Sequence, residues 1–361
     1  MRYSGTRGYQ GYRGRRSGGK RWLILILVLI LLAASAFLIA QRYMVYDMDG
    51  SYHFELPWFR HAENGSVQQP TARPGRRQDL EIIIEQPPLV EAAYQELHAV
   101  ELDTAALQGG ASRALSALPE NVNAVAIRLK TVDGDLLYPS ALAEAAEARA
   151  VAGGSIARSS IEELTGAGCY TIARLAALHD SRFSLAHKAD AAIQQKKYKN
   201  EVWYAPDNSF YLAPEKELTR QYLVNIAAEV ASLGFNELLF DEFAYPTVGR
   251  LNNIKTAERE MSMEDALSLL ADNLRETLLD TNVRLSVVMD EKTVLRGSDT
   301  KSGQVLADLA ARFDRIYVPT TEEQLPALQE ALAPYPAELV PILESAPAVG
   351  VYLIPTAQES S

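Results

Sequence analysis

The order of apolar runs in this 361-residue chain predicts an α/β protein, a (β/α)8 TIM-like barrel preceded by a single transmembrane helix. Three observations predict it. Short β-type runs alternate with helical ones over 79–355, and eight such strands follow a leading LEIIIE (80–85), the number a barrel needs. No glycine-rich phosphate loop follows an early strand, which disfavours the doubly wound alternative. The barrel is expected to be irregular at the last two strands, because Ser345-Ala346-Pro347 and a residue or two leave no room for a helix.

Taken from the N-terminus, 1–21 carry seven positive charges and no acid, in a Gly-, Arg- and Tyr-rich composition that cannot bury a core. This segment is expected to be a disordered cytoplasmic tail. Trp22 to Gln41 is free of charge, and a helix of it spans about 30 Å, the thickness of a bilayer core. With the basic flank on its N-terminal side, the barrel is expected outside the membrane. The alternative is secretion after cleavage near Ala36, since Ala34-Ser35-Ala36 has the small-x-small form of a signal-peptide site. Residues 42–60 place two aromatic-rich β runs around Asp49-Gly50, a two-residue hairpin signal. The DMDG string lacks the ligand series that a calcium loop requires. Residues 61–78, rich in Pro, Gly and polar side chains, read as a linker, and the barrel domain is expected over 79–361.

Within that domain the expected strands are ELHAVEL (96–102), VNAVAIRLK (122–130), CYTIARL (169–175), NELLFDEF (236–243), VRLSVVM (283–289), RIYV (315–318), ELVPILE (338–344) and VGVYLI (349–354). Helices are signalled between them. Pro214 opens one whose Leu218, Tyr222, Ile226, Val230 and Leu233 share a face before Gly234. Ser262 with Asp265 opens another, and Ser159 with Glu162 and Thr321 with Gln324 look like further starts.

The 48% apolar and 22% charged composition excludes disorder over the whole length, and the single Cys169 excludes an intramolecular disulfide. Beyond the tail, 28 basic residues face 46 acidic ones, so no nucleic-acid partner is expected for the main body. No metal or cofactor is called for, and the oligomeric state is open.

In such a barrel chemistry sits at the C-terminal ends of the strands. Carboxylates recur there: Glu101 and Asp103, Asp241 and Glu242, Asp290 and Glu291, and Glu344. Paired carboxylates suit glycosidic cleavage, in which one protonates the leaving oxygen and the other attacks carbon or activates water. Asp241 and Glu242 share a site only if the strand ends between them, because neighbours on a strand point to opposite faces.

The segment GFNELLFDEFAYP (234–246) resembles the GF-DEI-FDYIRFP segment of a bacterial family of putative glycoside hydrolases with TIM-barrel folds. VNAVAIRLKTVDGDLLYPS (122–140), GCYTIARLAALHD (168–180) and the W-dP region with its long helix (202–235) also resemble that family's segments, so the likeness covers 95–250. It implies Asp241 as the principal catalytic carboxylate, while position at the barrel rim offers Glu242, Asp290 or Glu344, or none of them, as the second. It implies Arg174, Lys130 and Trp203 as substrate contacts, and Tyr204 and Asp103 join them from the rim. Arg128 stands where the family has Asp, Glu242 where it has Tyr and Ala244 where it has Arg. A guanidinium cannot act as acid, base or nucleophile, so position 128 is excluded from those roles. The sequence therefore predicts a membrane-anchored, extracytoplasmic glycoside hydrolase acting on a polysaccharide or oligosaccharide of the cell envelope or the environment. Its rival is a catalytically silent barrel that binds glycan or an envelope partner.

Overall fold

The computed structural model describes residues 44–46, 52–54 and 96–356, except 108–109, 154–155, 198–200, 257–258 and 260. The chain divides into two units, Met1–Glu81 and Ile82–Ser361. In the first, β1 (Met44–Tyr46) and β2 (Tyr52–Phe54) pair antiparallel with Tyr46 opposite Tyr52. The turn expected at Asp49-Gly50 lies outside the described residues. The expected tail, membrane helix, linker and LEIIIE strand lie outside the described residues. Among the described residues, no helix is long and apolar enough to cross a membrane.

The second unit is a closed eight-stranded parallel barrel. Its strands are β3 (His98–Leu102), β4 (Ala124–Lys130), β5 (Tyr170–Ala176), β6 (Glu237–Asp241), β7 (Arg284–Val288), β10 (Arg315–Pro319), β11 (Glu338–Ile342) and β12 (Tyr352–Ile354). All eight coincide with the expected runs, although Tyr170–Ala176 and Arg315–Pro319 each extend one residue beyond the expected end. The barrel is thinnest where β11 meets β12, through the single register pair Ile342 and Leu353. A two-stranded excursion not foreseen in the sequence, β8 (Ser298–Asp299) with β9 (Gln304–Val305), lies between β7 and β10.

Alternation of side chains sorts each strand into two faces. Ala99, Ala124, Ala126, Tyr170, Ile172, Leu239, Tyr317, Val340 and Leu353 form one buried cluster, the filling of the barrel. The intervening residues, among them Val125, Ile127, Ala173, Leu238, Phe240, Val287 and Ile316, belong to a second cluster that packs beneath the helices. The helix Glu217–Ala231 buries Tyr222, Ile226 and Val230, as its spacing predicts. In Met263–Leu278, Ser262 Oγ accepts from Asp265 N at 3.0 Å, the expected cap. The other two starts differ. Ala157 precedes the helix Arg158–Thr165, so Ser159 lies inside it, and a 3-10 turn (Glu322–Gln324) separates Thr321 from Leu325–Leu332.

Candidate active site

Two residues beyond the apolar filling, toward the C-terminal ends of the strands, the inward positions turn ionic. Ala99 is followed by Glu101 on β3, Ala126 by Arg128 on β4, Ile172 by Arg174 on β5 and Leu239 by Asp241 on β6. The four side chains meet. Asp241 Oδ2 accepts from Arg174 Nε at 2.8 Å and from an Arg128 terminal nitrogen at 2.9 Å. Arg174 donates in turn to Glu101 Oε2 at 2.9 Å, and Arg128 lies 3.7 Å from Glu101 Oε1. Two carboxylates and two guanidiniums thus close a neutral cluster. The charge-assisted bonds to both acids hold the Arg174 guanidinium above its ordinary pKa against the opposing effect of burial. Asp241 Oδ1 is buried and has no hydrogen-bond partner.

Two hollows lie at the mouth, and the larger borders this layer. The larger, about 970 Å3, is lined by Glu101, Asp103, Arg128, Arg174 and Glu344 together with the β12 end. The smaller, about 440 Å3, is lined by Glu242, Tyr245, Asp290, Asp299, Ser302 and Gln304 among others, and Pro319 borders both. The unforeseen excursion β8–β9 builds this second wall: Gln304 Nε2 donates to Phe243 O at 3.1 Å, and Tyr245 N to Ser302 O at 2.9 Å.

The strand β6 does end between Asp241 and Glu242. Glu242 takes φ 52°, a left-handed conformation that costs a non-glycine residue on the order of 1–3 kcal/mol. The turn sends the Glu242 carboxylate into the smaller hollow, with Oε2 3.7 Å from His179 Nδ1. The His179 ring is stacked on Tyr211 at 4.2 Å. Burial, then the nearby Glu242 and Asp207 charges, push the Tyr211 phenol above its ordinary pKa. Asp290, besides lining the hollow, caps Glu291–Arg296 by accepting from Lys292 N. Asp103 accepts from Ala105 N at the opposite rim.

Two of the expected substrate contacts lie elsewhere. Lys130, two residues from Arg128, should by alternation share the barrel interior with it. A register shift between them turns Lys130 to the outer face, where its fully buried ammonium pairs with Asp180 at 2.7 Å and donates to Ala176 O at 2.9 Å. Trp203 is 2% exposed, its indole N–H held by Arg250 O at 3.1 Å, so its ring face is closed to a ligand. Tyr204 is 52% exposed but lines a third hollow with Trp203, apart from the two at the barrel mouth. Glu101 is the residue whose part sequence reasoning understated. Its place two residues after Ala99 was the available signal, since it puts the side chain on the interior face.

A family model described as "Putative glycosyl hydrolase domain" matches residues 109–319. Among solved structures, the chain is similar to a hypothetical protein from Ruminiclostridium thermocellum (22% identity, 52% of this chain and 96% of that one, TM-score 0.45). It is also similar to the PgaB glycoside hydrolase domain from Bordetella bronchiseptica (15% identity, 69% and 84%, TM-score 0.48). A third likeness is to a family 20 exo-β-N-acetylglucosaminidase from Vibrio harveyi (12% identity, 69% and 41%, TM-score 0.49). No curated protein matches the chain.

Proposed function

The chain belongs to the putative glycosyl hydrolase domain family, and from that premise we propose that it hydrolyses glycosidic bonds at the C-terminal mouth of its barrel. The observation that carries the reading is the grip on Asp241. Its Oδ2 is held by arginines from two strands that line the larger hollow, while Oδ1 is buried without a hydrogen-bond partner. Held by one oxygen, the carboxylate keeps its place while Oδ1 attacks the anomeric carbon or takes a proton from an attacking water. Glu242, turned into the adjoining hollow, is the proposed donor of the proton that the leaving sugar oxygen needs. Asp290 and Glu344 are the alternative donors from the two hollows. Arg174 positions Asp241, and Asp103 meets the glycan at the rim of the larger hollow.

The substrate is proposed to be a polysaccharide or oligosaccharide of the cell envelope or surroundings. The enzyme reaches it from a membrane through the helix 22–41, with the N-terminus cytoplasmic and the barrel outside. Release of the barrel after cleavage near Ala36 is the alternative, and carbonate-resistant membrane fractionation with protease shaving of intact cells tests both.

One observation favours a second reading, a barrel that binds glycan without cutting it. Arg128 replaces an acid of the family pattern and pairs with Asp241. Reducing-end release from a panel of envelope and plant polysaccharides, by the full chain beside Asp241→Asn, decides between them. General acid–base and nucleophilic roles are worth about 100- to 10,000-fold, so release should fall by at least that in the variant while glycan binding persists. No release by the unaltered protein from any substrate would leave the binding reading.

A further inference from the structure

The third hollow, about 310 Å3, sits at the small end of ligand sites, which run from roughly 300 to 1,000 Å3. Gln195 and Trp203–Pro206 line one side of it and Gly249, Arg250 and Asn253 the other, and hydrogen bonds join the two sides. Trp203 Nε1 donates to Arg250 O at 3.1 Å, Lys196 N to Asn253 O at 2.8 Å and Lys196 Nζ to Asn252 O at 2.8 Å. Gly249 lies flush against the buried indole: at φ 96°, a Cβ there would come within 3.0 Å of Pro206 and 3.3 Å of Trp203. The floor is therefore stiff and preformed.

On that floor stands Tyr204, more than half exposed on a loop pairing in which it faces Phe210. A buried aromatic residue contributes packing; an exposed ring on a rigid base offers a flat apolar face to the C–H face of a sugar ring. The polar lining suits the same ligand. Arg250 and Asn253 border the hollow, and among the described residues neither the Arg250 guanidinium nor the Asn253 side-chain amide has a hydrogen bond or ion pair. Gln195 completes the set, its amide nitrogen 3.5 Å from Val202 O. The nearby Asp207 carboxylate is taken up by Ser209 N and Oγ at 3.1 and 2.7 Å. A guanidinium fork that has no partner among the described residues matches a carboxylate bidentately.

We propose that the hollow formed by Tyr204, Arg250 and Asn253 is a second carbohydrate site, taking one pyranose of the uronic-acid type. The ring stacks on Tyr204, its carboxylate meets Arg250, and its hydroxyls bond the Asn253 and Gln195 amides. The choice of a sugar as ligand rests on the proposed function, but the site needs no turnover. The site would hold an acidic chain beside the mouth whether or not the mouth cleaves it.

Calorimetric titration of the full chain with hexamers of galacturonate, glucuronate and mannuronate, and with cellohexaose as the neutral control, tests this. Asp241→Asn is used throughout to prevent cleavage. At least one uronate hexamer should bind, with affinity at least tenfold above that for cellohexaose, and lose at least tenfold in Tyr204→Ala and in Arg250→Gln. Tyr204→Phe should retain it. Both positions are exposed, so unchanged thermal melting of the variants is expected and excludes misfolding as the cause of a loss. Absence of binding by all three uronates, equal binding of cellohexaose, or indifference to Tyr204→Ala overturns the proposal. Tyr204-dependent binding without reducing-end release by the unaltered protein would sink the hydrolase reading alone. Release without such binding would sink this site alone.

Discussion

Replacing Lys130 by methionine leaves the Asp180 carboxylate buried without its counter-charge. Both side chains of the pair are fully buried, and removing one partner from a buried ion pair costs about 3–5 kcal/mol. Methionine fills most of the volume, so the loss is electrostatic and not a cavity. At roughly 2–4 °C per kcal/mol for a domain of this size, the melting temperature should fall by about 6–20 °C. Asp180→Asn strands the lysine in the same way, although an asparagine side-chain oxygen can still accept from Phe183 N, which Asp180 now caps at 2.8 Å. The double variant removes both charges and should be less destabilised than the sum of the singles, with a coupling of about 1–3 kcal/mol. Urea unfolding of the four proteins, followed by far-ultraviolet circular dichroism and tryptophan fluorescence, gives the cycle. A Lys130→Met protein within about 0.5 kcal/mol of the original, the range of surface substitutions, would refute the reasoning. So would a rise in KM at unchanged stability, which is what a substrate-contacting lysine would give.

Gly134→Ala should damage the same pair from the other side, because a Cβ there would fall 2.0 Å from Asp180 Oδ1 at a backbone φ of 92°. A loss above about 1 kcal/mol in urea is expected, and it should shrink in the Lys130→Met background. Burial is the first cause that raises the phenols of Tyr138, Tyr170, Tyr222, Tyr245 and Tyr317, with nearby carboxylates adding to it. The folded barrel keeps protons that the unfolded chain releases above about pH 10, so this stabilisation is full below that pH and lost above it. Urea midpoints should hold up to about pH 9.5 and then fall steeply, by as much as about 1.4 kcal/mol per pH unit for each tyrosine; a flat profile to pH 11 would contradict it. Arg128→Asp puts three carboxylates around Arg174 and removes one of the two donors to Asp241 Oδ2. Reducing-end release should drop at least tenfold; a gain of release would instead favour the binding-only reading.

The barrel was legible in the sequence because each of its strands is bounded by turn residues and fills one core with alternate side chains. The eight runs from ELHAVEL to VGVYLI all became barrel strands. The capping signals were less reliable. Ser262 followed by Asp265 formed its cap, but Ser159 and Thr321 met the same pattern where the helix started two residues earlier or a 3-10 turn came first. At the mouth, alternation would place Glu101, Arg128, Arg174 and Asp241 together once the inward phase of each strand was set. The family resemblance put Lys130 at the substrate, but a register shift reverses the phase within β4 and leaves no mark in the residue types. Trp203 was misread for another reason. An indole with a backbone acceptor within reach is as well used under a loop as on a surface, and spacing does not distinguish the two.

The barrel carries ionic groups at both ends, and their difference argues for the mouth as the working one. At the N-terminal ends of the strands, Arg315 reaches Glu237 at 2.8 Å and Glu338 at 3.0 Å, and the Tyr170 hydroxyl donates to Glu237 at 2.9 Å. The Arg315 and Glu237 side chains are sealed there. At the mouth the same chemistry borders open space, and the Arg128 side chain is 28% exposed. Buried ion pairs give a fold little net stability over apolar packing, so stability alone does not account for an ionic layer bordering the larger hollow. The sealed end closes the barrel, whereas at the mouth the two arginines that hold Asp241 line the larger hollow. A glycan entering the larger hollow would meet Arg128 and Arg174 at its wall, and through them the carboxylate that both arginines hold.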